Sequence, residues 1–303
     1  MNENSSNMAR NLSGVWPVFQ TPYHADESID YATLQREIDW LFHRGADGVV
    51  LAMVSEVLRL SGDERRELAQ AACKFSGGRT IISVGAETGR MAEEYARHAE
   101  QSGAAAVMAA PPVSIGIGEE EMAAYFRRII RAVSLPVIVQ DASGYVGRPI
   151  PLSLYGQLIE EFGDRVYFKP EATPIGPRLS ALRDATGGRA KVFEGTGGIA
   201  LVDSYRRGIV GTIPGADLID AVVSLWRALA AGDEKRIYRI SLPLIAIVSL
   251  QNSLDAFLAI EKYLLVKQGI FRNTIVRGPV GYRLDDETRR EVDRLFELVK
   301  ESL

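Results

Sequence analysis

RVYFKPEATP (165–174) begins as an apolar run and then places a lysine where a further apolar side chain is expected. Its first residues form a nearly continuous apolar segment, which is typical of a strand buried on both faces of a parallel sheet. Seven similar runs occur along the chain: GVWPVFQTPY (14–23), DGVVLAMVSE (47–56), RTIISVGAE (79–87), AAAVMAAPP (104–112), PVIVQDAS (136–143), AKVFEGTG (190–197) and GIVGTIPG (208–215).

Segments with helical spacing separate these runs, for example YATLQREIDWLFHRG (31–45) and EEEMAAYFRRIIRAV (119–133). Eight strand–helix units predict a (β/α)8 barrel, whose usual length is about 250 residues. An open doubly wound sheet is the alternative, but it normally carries a glycine fingerprint after the first strand, and QTPYHADES (20–28) has none.

The units divide the chain into a predicted disordered segment (1–13), the barrel (14–232) and an appendix (233–303) that we expect to be wholly helical. The first appendix segment, DEKRIYRISLPLIAIVSL (233–250), is apolar over more than one face. We therefore expect it to pack against the barrel or against another subunit.

Composition excludes several classes of protein. The 303 residues are 47% hydrophobic, which is typical of a globular protein. The net charge of −4 shows no excess of basic residues of the kind that binds nucleic acid, so we expect no nucleic-acid partner. The single cysteine, Cys73, lies in a helical pattern, so we expect a buried core residue, no disulfide and a reducing compartment. No apolar run is long enough for a membrane span, and MNENSSNMARNLS (1–13) lacks a signal-peptide centre, so we expect a cytoplasmic protein.

In such a barrel the active site lies at the carboxyl ends of the strands. The polar residues there are Thr21, Tyr23, Ser55, Glu56, Glu87, Gln140, Asp141, Lys169, Glu171, Glu194, Thr196 and Thr212. Lys169 is distinctive because burial among apolar neighbours favours a neutral amine, which can attack a ketone and form a Schiff base. Glu171, two residues on, points to the same side of the strand, so the pair is equally consistent with a structural ion pair.

Several motifs then indicate a family. GVWPVFQTPYHADESID (14–30), SEVLRLSGDER (55–65), PVIVQD (136–141), YFK (167–169) and VRGP (276–279) resemble segments of the dihydrodipicolinate synthase/N-acetylneuraminate lyase family. The resemblance implies a (β/α)8 barrel with C-terminal helices, usually a homotetramer and otherwise a dimer, that acts on a small-molecule 2-oxo acid. It also implies a Schiff base to a lysine on the sixth strand, and Lys169 lies on the sixth run.

The sequence departs from the family pattern at two strand ends. Where the family commonly has Gly-Thr-Thr-Gly-Glu after the second strand, this chain has Ala-Met-Val-Ser-Glu (52–56). Where it usually has a catalytic tyrosine and an asparagine after the fifth strand, this chain has Gln140 and Asp141. At these positions the sequence resembles a divergent branch of the family that includes L-2-keto-3-deoxyarabonate dehydratases. This resemblance argues against the synthesis of dihydrodipicolinate as the reaction.

We therefore expect a dehydratase of a 2-keto-3-deoxy sugar acid, with catalytic residues Lys169, Glu171 and Gln140. The residues expected to bind substrate are Ser55, Glu56, Asp141, Gly195, Thr196 and Thr212. Two alternatives stay open: an aldolase that uses the same lysine to release pyruvate and an aldehyde, and a catalytically silent barrel that binds a sugar acid.

The remaining motifs carry weaker signals. The glycine cluster after Glu194 (195–198) is consistent with a phosphate site, but a plain tight turn is the interpretation that the sequence favours. The histidines His24, His43 and His98 have no metal-ligand spacing, and we expect neither a metal nor a cofactor. Tyr145, on the loop after the fifth strand, is a candidate for the phenol that Gln140 replaces, although a solvent-facing loop tyrosine is the favoured interpretation.

Overall fold

The computed structural model describes residues 12–144 and 148–303, so Tyr145 lies outside the described residues, as do residues 1–11. Each of the eight predicted runs contains one parallel strand. The strands are β1 (Gly14–Val15), β2 (Val49–Leu51), β3 (Thr80–Ser83), β4 (Ala106–Ala109), β5 (Val137–Asp141), β6 (Val166–Pro170), β7 (Lys191–Glu194) and β8 (Gly211–Thr212). The (β/α)8 prediction is confirmed.

The barrel closes between its first two strands. Pairing runs in chain order from β2 to β8, and β8 pairs with β1. Beyond β1, Val18 forms a parallel bridge with Val50, and the Val50 N–H donates to the Pro17 carbonyl at 2.9 Å. The first strand is much shorter than the ten-residue run because Pro17 has no N–H to continue the ladder.

A helix follows each strand: α1 (Tyr31–His43), α2 (Gly62–Phe75), α3 (Gly89–Gln101), α4 (Glu119–Ala132), α5 (Leu152–Phe162), α6 (Ile175–Ala185), α7 (Leu201–Arg206) and α8 (Ile219–Ala231). Polar caps start several of them. Ser61, for example, accepts from the Glu64 N–H while the Glu64 carboxylate accepts from the Ser61 N–H, a capping box that opens α2.

Cys73 is buried in α2, as predicted. No helix in the described ranges combines the length and the apolar character needed to cross a membrane.

Strand alternation separates two layers of core. Ile138 and Tyr167 point into the barrel, where they pack with residues such as Phe193. Their neighbours on the same strands pack outward against the helices. Because side chains alternate along a strand, Gln140 and Lys169 share the inward direction of Ile138 and Tyr167. The fold therefore directs a lysine and a glutamine into the barrel mouth.

The C-terminal segment forms α9 (Glu234–Val248), α10 (Leu254–Lys267) and α11 (Asp286–Glu301). The first packs against α8 and α11, and it leaves Leu242 exposed. The prediction of a wholly helical appendix is wrong for residues 270–285, which contain no helix. This segment contains Pro279 and is held by barrel contacts instead, since the Arg277 guanidinium binds Glu64 at 2.7 Å.

The first described residues belong to the folded structure. Leu12 is buried, and its N–H donates to the Tyr167 hydroxyl at 3.3 Å. The disordered segment predicted for residues 1–13 therefore does not include Leu12, because its apolar side chain packs at the base of the barrel interior.

Candidate active site

A cleft of about 510 Å³, including its open mouth, lies at the carboxyl ends of the strands. Three of its described lining residues are titratable: Lys169, Glu171 and Glu261. The other described lining residues are Val18, Ala52, Met53, Val54, Gln140, Gly195, Gly197, Ile213, Pro214, Gly215, Leu254 and Phe257. A cleft of this size, mostly apolar with a few polar groups, suits a small organic molecule.

Lys169 is almost completely buried, with 6% of its side chain exposed. Its Nζ lies 2.6 Å from Glu171 Oε1, so the ion pair considered from the sequence exists in the fold. The pairing does not exclude nucleophilic use, because Glu171 can accept the proton that the ammonium must lose before it attacks a carbonyl.

Glu171 links the lysine to the fifth strand. Its Oε2 accepts a hydrogen bond from the Gln140 side-chain amide at 2.7 Å, and Gln140 lies opposite Lys169 in the β5–β6 register. Burial raises the pKa of the Glu171 carboxyl, while the Lys169 ammonium and the Gln140 amide oppose that rise. The arrangement holds a carboxylate beside the amine, with a pKa shifted towards the range useful for a general base.

Gly195 leaves the space that the lysine occupies. A Cβ atom on this residue would lie 2.7 Å from both Cε and Nζ of Lys169 and 2.8 Å from Glu171 Oε1. Gly195 lines the cleft. A larger residue at this position would displace the amine.

Thr196 and Thr212 do not line the cleft. The Thr212 hydroxyl donates to Glu194 Oε2 at 2.8 Å, and the Thr196 hydroxyl and N–H donate to Glu194 Oε1. Both hydroxyls thus position the Glu194 carboxylate behind the wall instead of facing a ligand.

The glycine cluster after β7 packs against apolar side chains. A Cβ on Gly197 would meet Val248 at 3.1 Å, and one on Gly198 would meet Leu244 at 2.9 Å. The C-terminal helices α9 and α10 cover this turn, so the structure favours a tight packed turn over a phosphate site.

Ser55 and Glu56 lie behind the wall that Ala52, Met53 and Val54 form. The Ser55 hydroxyl donates to the Phe19 carbonyl at 2.6 Å and accepts from the Ala52 N–H at 3.1 Å. These bonds fix the loop after β2 and leave the hydroxyl engaged within the protein.

The Glu56 carboxylate forms an ion pair with Lys262 Nζ at 2.5 Å and accepts from the Arg277 N–H at 3.1 Å. Lys262 also donates to the carbonyls of Thr21 and Ile275, at 2.8 and 2.6 Å. This buried pair connects the barrel loops to α10 and to the segment after it.

Asp141 organises the loop after β5. Its two oxygens accept from the N–H groups of Ser143 at 3.1 Å and Ile150 at 3.0 Å, and Arg178 lies 3.5 Å away. The carboxylate is fully buried and outside the cleft lining. Of the nine site residues predicted from the sequence, the cleft thus brings together Lys169, Glu171, Gln140 and Gly195.

Sequence reasoning missed a buried polar cluster beside the cleft, formed by Gln20, Glu37, Asp217, Gln251, Glu261 and Lys262. The helical spacing of α10 gave no prediction for Glu261 or Lys262. The signal that identifies them is local: both lie within the apolar stretch FLAIEKYLL (257–265), where a solvated charge is not expected. Within the described ranges, no group of three or more His, Cys, Asp or Glu side chains suits a metal ion.

Residues 11–298 match the pattern of the Dihydrodipicolinate synthetase family. L-2-keto-3-deoxyarabonate dehydratase from Azospirillum brasilense is 26% identical over 289 residues, covering 92% of each chain. A 4-hydroxy-tetrahydrodipicolinate synthase from Azoarcus sp. (strain BH72) is 35% identical over 136 residues, which are 44% of this chain and 47% of that protein.

The crystal structure of dihydrodipicolinate synthase from Rhodopseudomonas palustris superimposes with a TM-score of 0.86 at 25% identity. The superposition covers 95% of this chain and 98% of that one. The similarity therefore includes the C-terminal helices as well as the barrel.

Proposed function

Because this chain belongs to the dihydrodipicolinate synthetase family and is a lyase that works through a Schiff-base lysine, we propose that Lys169 is that lysine and that the reaction is the dehydration of a 2-keto-3-deoxy sugar acid. The observation that carries the proposal is the contact chain from Lys169 through Glu171 to Gln140. It provides an amine and one carboxylate at the strand ends, with an amide in place of the family's tyrosine.

Glu171 assists the formation of the Schiff base. It takes a proton from the Lys169 ammonium, and the neutral amine then attacks the C2 carbonyl of the substrate. The same carboxyl passes this proton, and then a second one from the attached nitrogen, to the departing C2 oxygen, which leaves as water and gives an iminium. At the end of this step Glu171 is again a carboxylate next to the reacting carbons.

The iminium acidifies the hydrogens on C3, and Glu171 removes one of them to give an enamine. The enamine then expels the C4 hydroxyl, which requires a proton on the leaving oxygen. Later hydrolysis of the Schiff base releases the product and Lys169. The backbone at Met53 and Val54, which lines the cleft after β2, is our candidate contact for the substrate carboxylate.

The alternative aldolase reaction needs a base that removes the proton from the C4 hydroxyl. Gln140 lies at the strand-five position where the family usually has its tyrosine, and an amide cannot act as a base near neutral pH. The dehydratase name of the Azospirillum brasilense relative also favours loss of water over cleavage of a carbon–carbon bond.

The test combines trapping with product analysis. Borohydride with pyruvate should add the mass of the reduced adduct to a peptide that contains Lys169, and Lys169→Ala should abolish the adduct. With 2-keto-3-deoxypentonate the product should be an oxo-acid semialdehyde that retains all the carbons.

Two results would contradict the proposal in different ways. Release of pyruvate at the rate of substrate loss, in an assay coupled to lactate dehydrogenase, would replace dehydration with aldol cleavage. The absence of any adduct with either 2-oxo acid would favour the silent binding barrel.

A further inference from the structure

Glu261 is the titratable group of the cleft for which the proposed mechanism has no use. Glu261 lies on α10, the second helix after the barrel, and the residue is completely buried. One oxygen, Oε2, accepts a hydrogen bond from the Gln20 side-chain amide. The other, Oε1, has no hydrogen-bond partner in the described part of the chain.

The backbone of the barrel makes room for this carboxyl. A Cβ on Gly215, which follows β8, would overlap Glu261 Oε1. Gly215 and Glu261 both line the cleft. The unpartnered oxygen therefore packs against Gly215, a residue of the same cleft that holds the Lys169 amine.

The surroundings of Glu261 disfavour its charged form. The carboxyls of Glu37 on α1 and Asp217 after β8 face it, and the neighbouring cation is Lys262. That ammonium is already engaged by Glu56 and by two backbone carbonyls. Burial, with the added repulsion of Asp217 and Glu37, raises the pKa of Glu261 well above its usual value. Glu261 consequently holds a proton under conditions in which an exposed glutamate is ionised.

The two carboxyls of the cleft differ in the way that acid–base catalysis requires. Glu171 has both oxygens engaged, one by the Lys169 amine and the other by Gln140, and the adjacent ammonium favours its charged form. Glu261 faces carboxyls instead and has one oxygen unpartnered. Pairs of carboxyls in such contrasting environments divide into a base and an acid.

We propose that Glu261 is the acid that protonates the C4 hydroxyl as it leaves, an inference that rests on the proposed dehydration. The electron pair of the enamine forms the C3–C4 double bond and regenerates the iminium, while the C4–O bond breaks. The departing oxygen takes the Glu261 proton and leaves as water. Glu261 recovers a proton from C5 as the unsaturated iminium relaxes towards the aldehyde, and Glu171 returns its proton to C3.

Glu261→Gln tests this role because glutamine keeps the shape and can donate a hydrogen bond but cannot supply a proton. Pyruvate has no leaving hydroxyl, so the variant should form the borohydride-trapped adduct at the wild-type rate. The kcat for 2-keto-3-deoxypentonate should fall by about 10²-fold or more, the scale of a lost general acid. The kcat of the wild type should decline as pH rises through the raised pKa of Glu261, and the variant should lack that decline.

Glu37→Gln is the matched control, because it replaces a buried carboxyl of the same cluster that does not line the cleft. It should trap pyruvate normally and dehydrate the sugar acid at close to the wild-type rate at pH values below the pKa of Glu261, and its decline in kcat should only move to lower pH because one repelling carboxyl is gone. If Glu261→Gln kept its kcat and only raised KM, Glu261 would be a binding group and the proposal would be wrong. Failure of the wild type itself to trap pyruvate would instead contradict the proposed function.

Discussion

Lys169 keeps its position because the residue beside it has no side chain. Gly195 approaches Cε and Nζ of the lysine so closely that an added methyl group would lie 2.7 Å from both atoms. The atoms it would meet are the end of a flexible side chain and a carboxylate oxygen, which can move without breaking the strands. A substitution at Gly195 should therefore affect the position of the amine more than the stability of the barrel.

We expect Gly195→Ala to lower the rate of borohydride-trapped adduct formation with pyruvate by about 10²-fold, the cost of moving a reacting group by roughly 1 Å. The thermal midpoint of unfolding should change by only a few degrees. Gly156→Ala, on α5 with no heavy atom within 4 Å of the added Cβ, is the control and should trap pyruvate normally. Normal trapping by Gly195→Ala would show that the Lys169 amine keeps its reactive position when a methyl group is added beside it.

Residues whose direction follows from the alternation along a strand were predictable from the sequence, and residues whose contacts come from distant parts of the chain were not. The period of two along β6 directs Lys169 and Glu171 to the same side, and the contact between them is found at 2.6 Å. Ser55 and Glu56 follow β2 and Asp141 ends β5, but their hydrogen bonds depend on partners that local spacing cannot reveal. Glu56, for example, binds a lysine 206 residues away along the chain.

At the scale of single elements, α10 is the helix that joins the appendix to the site. Leu254, Phe257 and Glu261 line the cleft from this helix, and Lys262 reaches the loops after β1 and β2. The helix was predicted from its spacing, but its inward charges were not, because a helical period does not distinguish a charge paired in the core from one in solvent.

We expect Lys262→Met to lower the free energy of unfolding by about 3–5 kcal/mol, because it leaves the buried Glu56 carboxylate without its cation. Changing Glu56 to Gln in the same chain should restore part of the loss, since the unpaired charge is then removed. Chemical denaturation followed by circular dichroism measures both effects.

Lys267→Met is the control on the same helix. Its partner, Asp293, is 2.7 Å away, but both side chains are about one-third exposed, at 31% and 36%. An ion pair at the surface contributes about 0–1 kcal/mol, so this variant should be nearly as stable as the wild type. Equal losses for Lys262→Met and Lys267→Met would contradict a stabilising role for the buried pair.

At the scale of the whole molecule, the protein encloses a group of acidic side chains beside the cleft. Glu37, Asp217 and Glu261 are each buried, and burial raises the pKa of all three, that of Asp217 to about 7. Each folded-state pKa lies above the value expected in the unfolded chain. These three groups therefore bind more protons in the folded protein than in the unfolded chain above about pH 4, and their contribution to stability falls as pH rises.

We expect Asp217→Asn to become more stable relative to the wild type as pH rises from about 4.5 to 8, by at least about 1 kcal/mol over that range. The amide oxygen can still accept the hydrogen bond that Gln251 donates to Asp217 at 3.0 Å. Denaturation midpoints of both proteins at several pH values measure the difference.

Asp63→Asn, at a side chain that is 89% exposed, provides the reference for removing a carboxylate without burial. Its stability relative to the wild type should change little between the same pH values. A difference for Asp217→Asn that stayed constant with pH would show that Asp217 is ionised throughout.

The eight strands and the lysine end of the site come from residues up to Thr212, but the cleft also needs groups from much later in the chain. Glu261 closes one wall, and Lys262 and Arg277 fasten that wall to the loops of the barrel. A nascent chain on the ribosome can therefore assemble all its strands and still lack a finished reaction chamber. We therefore expect catalytic competence only after the segment around residue 277 has left the ribosomal exit tunnel, and we expect a chain truncated before that segment to be inactive.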